Sequence, residues 1–127
     1  MISIWIVLYL LFLHWAADFV CQSDWMAKNK STDNKALLLH CGTYFLIFFM
    51  GTLGLYPNGK AEFGPLFSFT VGLIHFPVDY YTSRVNKQLW DNKDVHGFFV
   101  SIGFDQLIHF ATILLAWQWV AHKAAGI

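Results

Sequence analysis

The sequence predicts an all-α membrane protein, an antiparallel four-helix transmembrane bundle with a buried polar His/Asp centre, and three observations predict it. Of the 127 residues, 57% are hydrophobic and 19% aromatic against 13% charged, far from ordinary globular usage. Four apolar runs reach about 20 residues or more, the length that carries a helix across a hydrocarbon core of ~30 Å. Inside those runs stand three His/Asp pairs at one spacing: His14 with Asp18, His75 with Asp79, and Asp105 with His109. In lipid the backbone must satisfy its own hydrogen bonds, so the runs become helices and the helices pack as a bundle.

The first span starts at Ile2, reaches about Val20 and is expected to stay helical through Trp25 to Met26, giving a helix over residues 2–26. It has neither a basic n-region nor a small-residue cleavage site, so it reads as a retained helix rather than a cleaved signal peptide. The later spans cover residues 36–55, 63–81 and 97–121, and the whole of residues 1–127 makes one domain. Polar connectors separate them: Lys28 to Lys35, then Tyr56-Pro57-Asn58-Gly59-Lys60, then Ser83 to Asp94. Pro77 lies between His75 and Asp79 and is expected to kink the third span at the polar pair. Cys21 and Cys41 form no metal or disulfide pattern and read as small apolar residues with free thiols.

Formal net charge is zero, so no basic footprint points to nucleic acid. The charges are nonetheless sorted. Lys28, Lys30, Lys35, Arg84, Lys87 and Lys93 fall on the first and third connectors, whereas the opposite side has only Lys60 and Lys123. The positive-inside bias puts those two connectors in the cytoplasm and both termini outside, in a multi-pass membrane protein. Trp25 and Trp90 would then mark the cytoplasmic interface, and Trp5, Trp117 and Trp119 the other.

This topology places the polar residues at one depth. His14, Asp18, His40, His75, Asp79, Asp105 and His109 all fall in the cytoplasmic half, roughly 8 to 22 Å inward at 1.5 Å per residue. Independent polar accidents have no reason to agree in depth. Residues four apart share a helix face, and ionisable groups in apolar surroundings need partners, a proton or a metal. These seven are the expected metal ligands. Imidazoles mixed with carboxylates suit one or two divalent ions, Zn first and Mn or Fe as alternatives, and the lack of ligating Cys argues against iron–sulfur and soft copper sites. An Asp not fully engaged as ligand, Asp18 or Asp105, is the expected general base. Gln22, Gln106, Arg84 and Lys87 flank the centre and are the expected substrate contacts. Gly97, Ser101, Asp105 and His109 make a polar seam on the fourth helix. His96 and His122 read as solvated, and Asp24, Asp33, Asp91 and Asp94 as loop and capping residues.

The string His14-Trp15-Ala16-Ala17-Asp18-Phe19-Val20-Cys21-Gln22, followed by His40, His75 with Asp79, and Asp105-Gln106-Leu107-Ile108-His109, resembles a family of small bacterial and phage inner-membrane proteins catalogued as a domain of unknown function. More distantly, the chain is similar to membrane-bound metal-dependent hydrolases with inward-facing His and Asp residues. The resemblance implies a common polar centre and brings no established activity. It also implies a Lys soon after the third-helix Asp, where this sequence has Arg84 and Lys87.

The expected function is metal-dependent hydrolysis at the cytoplasmic membrane face, of a lipid phosphoester or another lipid-linked ester. The expected partners are membrane lipid, a lipid-linked phosphate as substrate, and further copies of the chain, since four helices leave little room for a large headgroup. Two alternatives compete. One is a divalent-cation or proton transporter, whose polar groups would span the whole membrane depth. The other is a regulatory membrane protein, phage-encoded, that binds a host partner and uses the metal as a staple.

Overall fold

The computed structural model describes residues 2–55 and 59–126; Tyr56, Pro57 and Asn58 of the second connector lie outside the described residues. The described residues are helical, with no strand among them. Helix α1 spans Ile4–Trp15, α2 Asp24–Asn29, α3 Asn34–Thr52, α4 Phe63–Asp91 and α5 Val95–Ala125. α3 and α5 are long and apolar enough to cross a membrane, and the Ile4–Val20 segment is a shorter apolar helix.

Two boundaries differ most from the expected ones, for local reasons, while α3 and α5 depart from the expected 36–55 and 97–121 by two to four residues at each end. The first helix does not run unbroken to Met26. Its last turn widens into a π-helix over Ala16–Val20, closed by Cys21 N–H donating to the Ala16 carbonyl at 2.8 Å. The chain then breaks, because the Ser23 hydroxyl accepts from Met26 N–H at 3.2 Å and so starts α2 as its N-cap. The third helix runs ten residues beyond the expected end, from residue 81 to Asp91. Thr82 to Trp90 contain no Gly or Pro, and charge marks a membrane edge without ending a helix. The turn comes at Asn92-Lys93-Asp94, where Lys93 adopts φ 60° and the Asp94 carboxylate accepts from Gly97 N–H at 2.8 Å to begin α5. α4 continues through Pro77.

Each main helix turns one stripe inward, and every stripe has the same order. α1 buries Leu10 and His14, with Asp18 on the π turn. α3 buries His40, Tyr44, Phe48 and Thr52; α4 buries Phe63, Phe67, Val71, His75, Asp79 and Ser83; α5 buries Asp105, His109, Ile113, Trp117 and Val120. Steps of three or four residues keep each set on one face. One end of the bundle is therefore an aromatic core and the other a polar cluster. Phe63, Phe67 and Trp117 pack edge-on and stacked, with centroids 4.6 to 5.8 Å apart. Tyr44 joins the halves, its ring 4.8 Å from Phe48 on one side and stacked on His75 at 3.7 Å on the other. Close approach of α3 and α4 at the apolar end requires Gly64, where a Cβ would lie 2.6 Å from the Thr52 carbonyl oxygen.

Candidate metal centre

Four side chains from three segments converge at the polar end. Asp18, His40, His75 and Asp79 each offer one ligand atom, and these atoms lie within 4.8 Å of one another. Asp18, Asp105 and His109 form a second group by the same measure. Asp18 belongs to both. Asp79 also faces both, since Oδ2 lies 3.1 Å from His40 Nε2 while Oδ1 lies 3.0 Å from His109 Nε2. His75 Nε2 stands 3.1 Å from His40 Nε2 and 3.6 Å from Asp18 Oδ1. None of these residues is more than 8% exposed.

The donor set fits a divalent cation. His40 Nε2 is 3.0 Å from Asp18 Oδ1, yet that oxygen accepts no hydrogen bond, and neither does Asp105 Oδ1. Buried carboxylate oxygens that no donor satisfies, close to neighbouring imidazole nitrogens, are what a cation would take up. Buried carboxylates without such compensation are costly.

The remaining carboxylate oxygens are held by a directed chain of hydrogen bonds. Gln106 Nε2 donates to Asp105 Oδ2 at 3.1 Å and to Asp18 Oδ2 at 3.4 Å. With its amide so turned, Gln106 Oε1 accepts from His14 Nε2 at 2.8 Å. His14 Nδ1 must then accept from the Tyr44 hydroxyl, 3.0 Å away. His14, expected as a ligand, has both ring nitrogens committed to this chain and stands in neither ligand group. It orients Gln106, and Gln106 orients the two aspartates.

The two groups also share a proton. His75 Nδ1 and His109 Nδ1 are 3.3 Å apart, so one donates and the other accepts. A neutral imidazole has one N–H. While that contact holds, only one of the two rings can present a free Nε2 lone pair to an ion.

Lys30, at the end of α2, donates to Asp79 Oδ2 at 2.8 Å and lies 3.4 Å from His40 Nε2. Burial pulls its pKa down, but Asp79 and then Asp18 raise it more, so the net shift is upward and the ammonium stays charged.

Above the centre is a cavity of about 730 Å³ whose floor includes Asp18, Asp105 and Gln106. Gln22 and Lys87 line it as well, Lys87 paired with Asp91 on its own helix. Arg84 does not. Its guanidinium donates to the Tyr80 carbonyl at 2.8 Å and to Asn34 Oδ1 at 2.9 Å, and stacks on the Tyr80 ring. That ties α4 to the start of α3 instead. Both cysteines are free, Cys21 exposed and Cys41 buried.

Sequence reasoning missed Tyr44 and underrated Lys30. Tyr44 follows His40 by four residues on the same inward stripe, a signal the His/Asp pattern obscured. Lys30 depends on how the break at Cys21 to Ser23 folds α2 back over the cluster, which no periodicity encodes.

Neither a curated protein nor a solved structure matches the chain. From residue 6 to residue 126 it matches the model of a family described as protein of unknown function (DUF3307), and with nearly its whole length covered the chain belongs to that family.

Proposed function

We propose that the chain is a metal-dependent hydrolase of the bacterial or phage-encoded inner-membrane repertoire, acting at the cytoplasmic face on a lipid phosphoester or lipid-linked ester. One observation carries the reading. Two groups of ligand atoms share Asp18 at the floor of a cavity that is also lined by lysines and exposed aromatic side chains. A four-helix transmembrane bundle, with both termini outside, puts that cavity at the cytoplasmic surface by the distribution of Lys and Arg.

Asp18, His40, His75 and Asp79 would hold a first divalent ion, and Asp105, His109 and the shared Asp18 a second. Zn suits the donors best, with Mn or Fe as alternatives. Such ions supply Lewis acidity to the scissile ester and acidify water. The chain's own groups do the rest. With the first ion alone bound, Asp105, on the cavity floor and steadied by Gln106, is free to take the proton of the attacking water. Lys30 and Lys87 offset negative charge that develops on the phosphoryl or acyl oxygens. Because His75 and His109 share one proton, the second ion binds more weakly than the first.

Transport is the less economical reading. It needs ionisable groups through the full depth, but beyond the cluster the buried residues among those described are apolar, such as Phe48, Phe63 and Phe67, or hydroxyls bonded to backbone carbonyls, Thr52 and Ser68.

The test is metal content by mass spectrometry on detergent-purified protein, followed by phosphoester hydrolysis, for wild type beside His75→Ala/Asp79→Ala. Loss of both metal and turnover in the double variant supports the proposal. A metal-free wild type that stays folded and ignores added ions overturns it.

A further inference from the structure

The cavity is more elaborate than a metal site requires. Its α4 wall is a single helix face, Ser83, Asn86, Lys87 and Trp90 at steps of three, four and seven residues. Two of these are unsatisfied. Ser83 is 8% exposed and its Oγ has no hydrogen-bond partner; Asn86 Oδ1 has none either. Across the gap, Gln22 Oε1 is a third orphan. Natural proteins seldom bury a polar oxygen without a partner, and a cavity lined by three of them is built for a ligand that brings hydrogen-bonding groups of its own.

Charge and shape narrow the class. Lys28 and Lys30 reach the cavity from α2 and Lys87 from α4; the acids there are Asp91, paired with Lys87, and Asp18 and Asp105, which face the metal centre. Lys28 is left for an anion. The rim is apolar and open sideways: Phe19 is 47% exposed, Trp90 57% and Phe99 64%, and all three line the cavity. A soluble phosphate has no use for that rim. An acyl chain does.

We propose that this cavity is the headgroup site of an anionic phospholipid whose headgroup carries free hydroxyls, as a glycerol headgroup does. Its phosphate sits against Lys28, the cavity lysine that has no carboxylate partner among the described residues. Its hydroxyls pair with Ser83, Asn86 and Gln22, and its acyl chains leave past Phe19, Trp90 and Phe99. This assignment rests on the hydrolase reading, for which it names the substrate class, but the binding it describes needs no turnover.

The experiment compares equilibrium binding of two short-chain lipids to the detergent-purified full-length protein, phosphatidylglycerol and phosphatidylmethanol, with chelator present throughout. They have the same charge and chains and differ in the headgroup, three carbons with two free hydroxyls in the first and a single carbon with none in the second. Wild type is expected to prefer phosphatidylglycerol by about tenfold, the worth of one or two well-made hydrogen bonds. Ser83→Ala/Asn86→Leu should lose that preference while still binding phosphatidylmethanol, which shows that the variant is folded. Lys28→Gln should weaken both lipids alike. Equal binding of the two lipids by wild type overturns the proposal, and so does preference for a zwitterionic phosphatidylcholine. Competition by free glycerol phosphate at lipid-like concentration overturns the lipid assignment in favour of a soluble phosphate. Metal content measured on chelator-free samples separates the two readings. Bound metal without lipid discrimination sinks this inference alone, and discrimination by a protein that never takes up metal sinks the hydrolase reading alone.

Discussion

The two ends of this bundle are built on different physics from the same four stripes. At the apolar end, Phe48, Phe63, Phe67, Ile113 and Val120 are at most 1% exposed and are held by contact. Any side chain of the right volume would serve there, within the tolerance of a packed core. At the polar end stand four imidazoles, three carboxylates and one ammonium, and each is tolerable because of its neighbours. Contact energy is spread over many atoms and fails gradually. Charge compensation is shared among few groups, and removing one strands the rest.

The largest effect is expected where compensation is most concentrated. The Asp79 carboxylate contacts Lys30 at 2.8 Å, His109 at 3.0 Å and His40 at 3.1 Å. Asp79→Ala leaves the half-buried Lys30 ammonium and the imidazoles of His40 and His109 without that carboxylate and should cost about 3–5 kcal/mol, together with the bound metal. Thermal unfolding in detergent and metal analysis measure both. Asp79→Asn keeps the volume and should fold while still losing metal. If Asp79→Asn binds metal like wild type, the carboxylate is not a ligand and the contrast between the ends weakens.

A comparable loss of stability with the opposite functional signature is expected at the other end. Phe67 is fully buried and packs against Phe48, Phe63 and Trp117. Phe67→Ala opens a cavity and should cost about 3 kcal/mol or somewhat more, yet the protein that remains folded in the cold should keep its full metal complement. Loss of metal in Phe67→Ala would show that the ends are one cooperative unit and not two.

Much of the division was legible in the sequence, and the reasons are specific. His14 with Asp18, His75 with Asp79 and Asp105 with His109 announce themselves because carboxylates and imidazoles four apart in an apolar run have few innocent explanations. Four-residue steps also put them on inward stripes without knowledge of the fold. What the sequence could not reveal was division of labour within the cluster. His14 and His40 look alike as residues, yet His14 is occupied by Gln106 and Tyr44 while His40 faces Asp18 and Asp79. That difference depends on which atoms of neighbouring helices lie opposite each ring. Nor did it reveal that Arg84 and Lys87, three residues apart on one helix, would look in different directions. The helical extension through Asp91 decides that, and the charged run disguised it as a loop.

The smallest expected effect falls at the seam. Tyr44 belongs to both ends: its ring stacks on His75 and packs on Phe48, while its hydroxyl donates to His14 Nδ1 at 3.0 Å. Tyr44→Phe keeps the ring and removes the hydroxyl, so the apolar end should not register the change. The polar end should, because His14 Nδ1 loses its donor and is then free to take the proton from Nε2. In that tautomer it no longer donates to Gln106, and the amide has no reason to keep its Nε2 on Asp18 and Asp105. Stability should fall by only about 1 kcal/mol, but metal affinity should fall measurably, since the oxygens the amide held are no longer fixed. Calorimetric metal titration of Tyr44→Phe beside Gln106→Leu tests this. Similar weakening in both variants places Tyr44, His14 and Gln106 in one line of command over the aspartates. Unchanged affinity in Tyr44→Phe would mean that the chain of hydrogen bonds is packing alone, and that the polar end is organised by its charges without help from the apolar one.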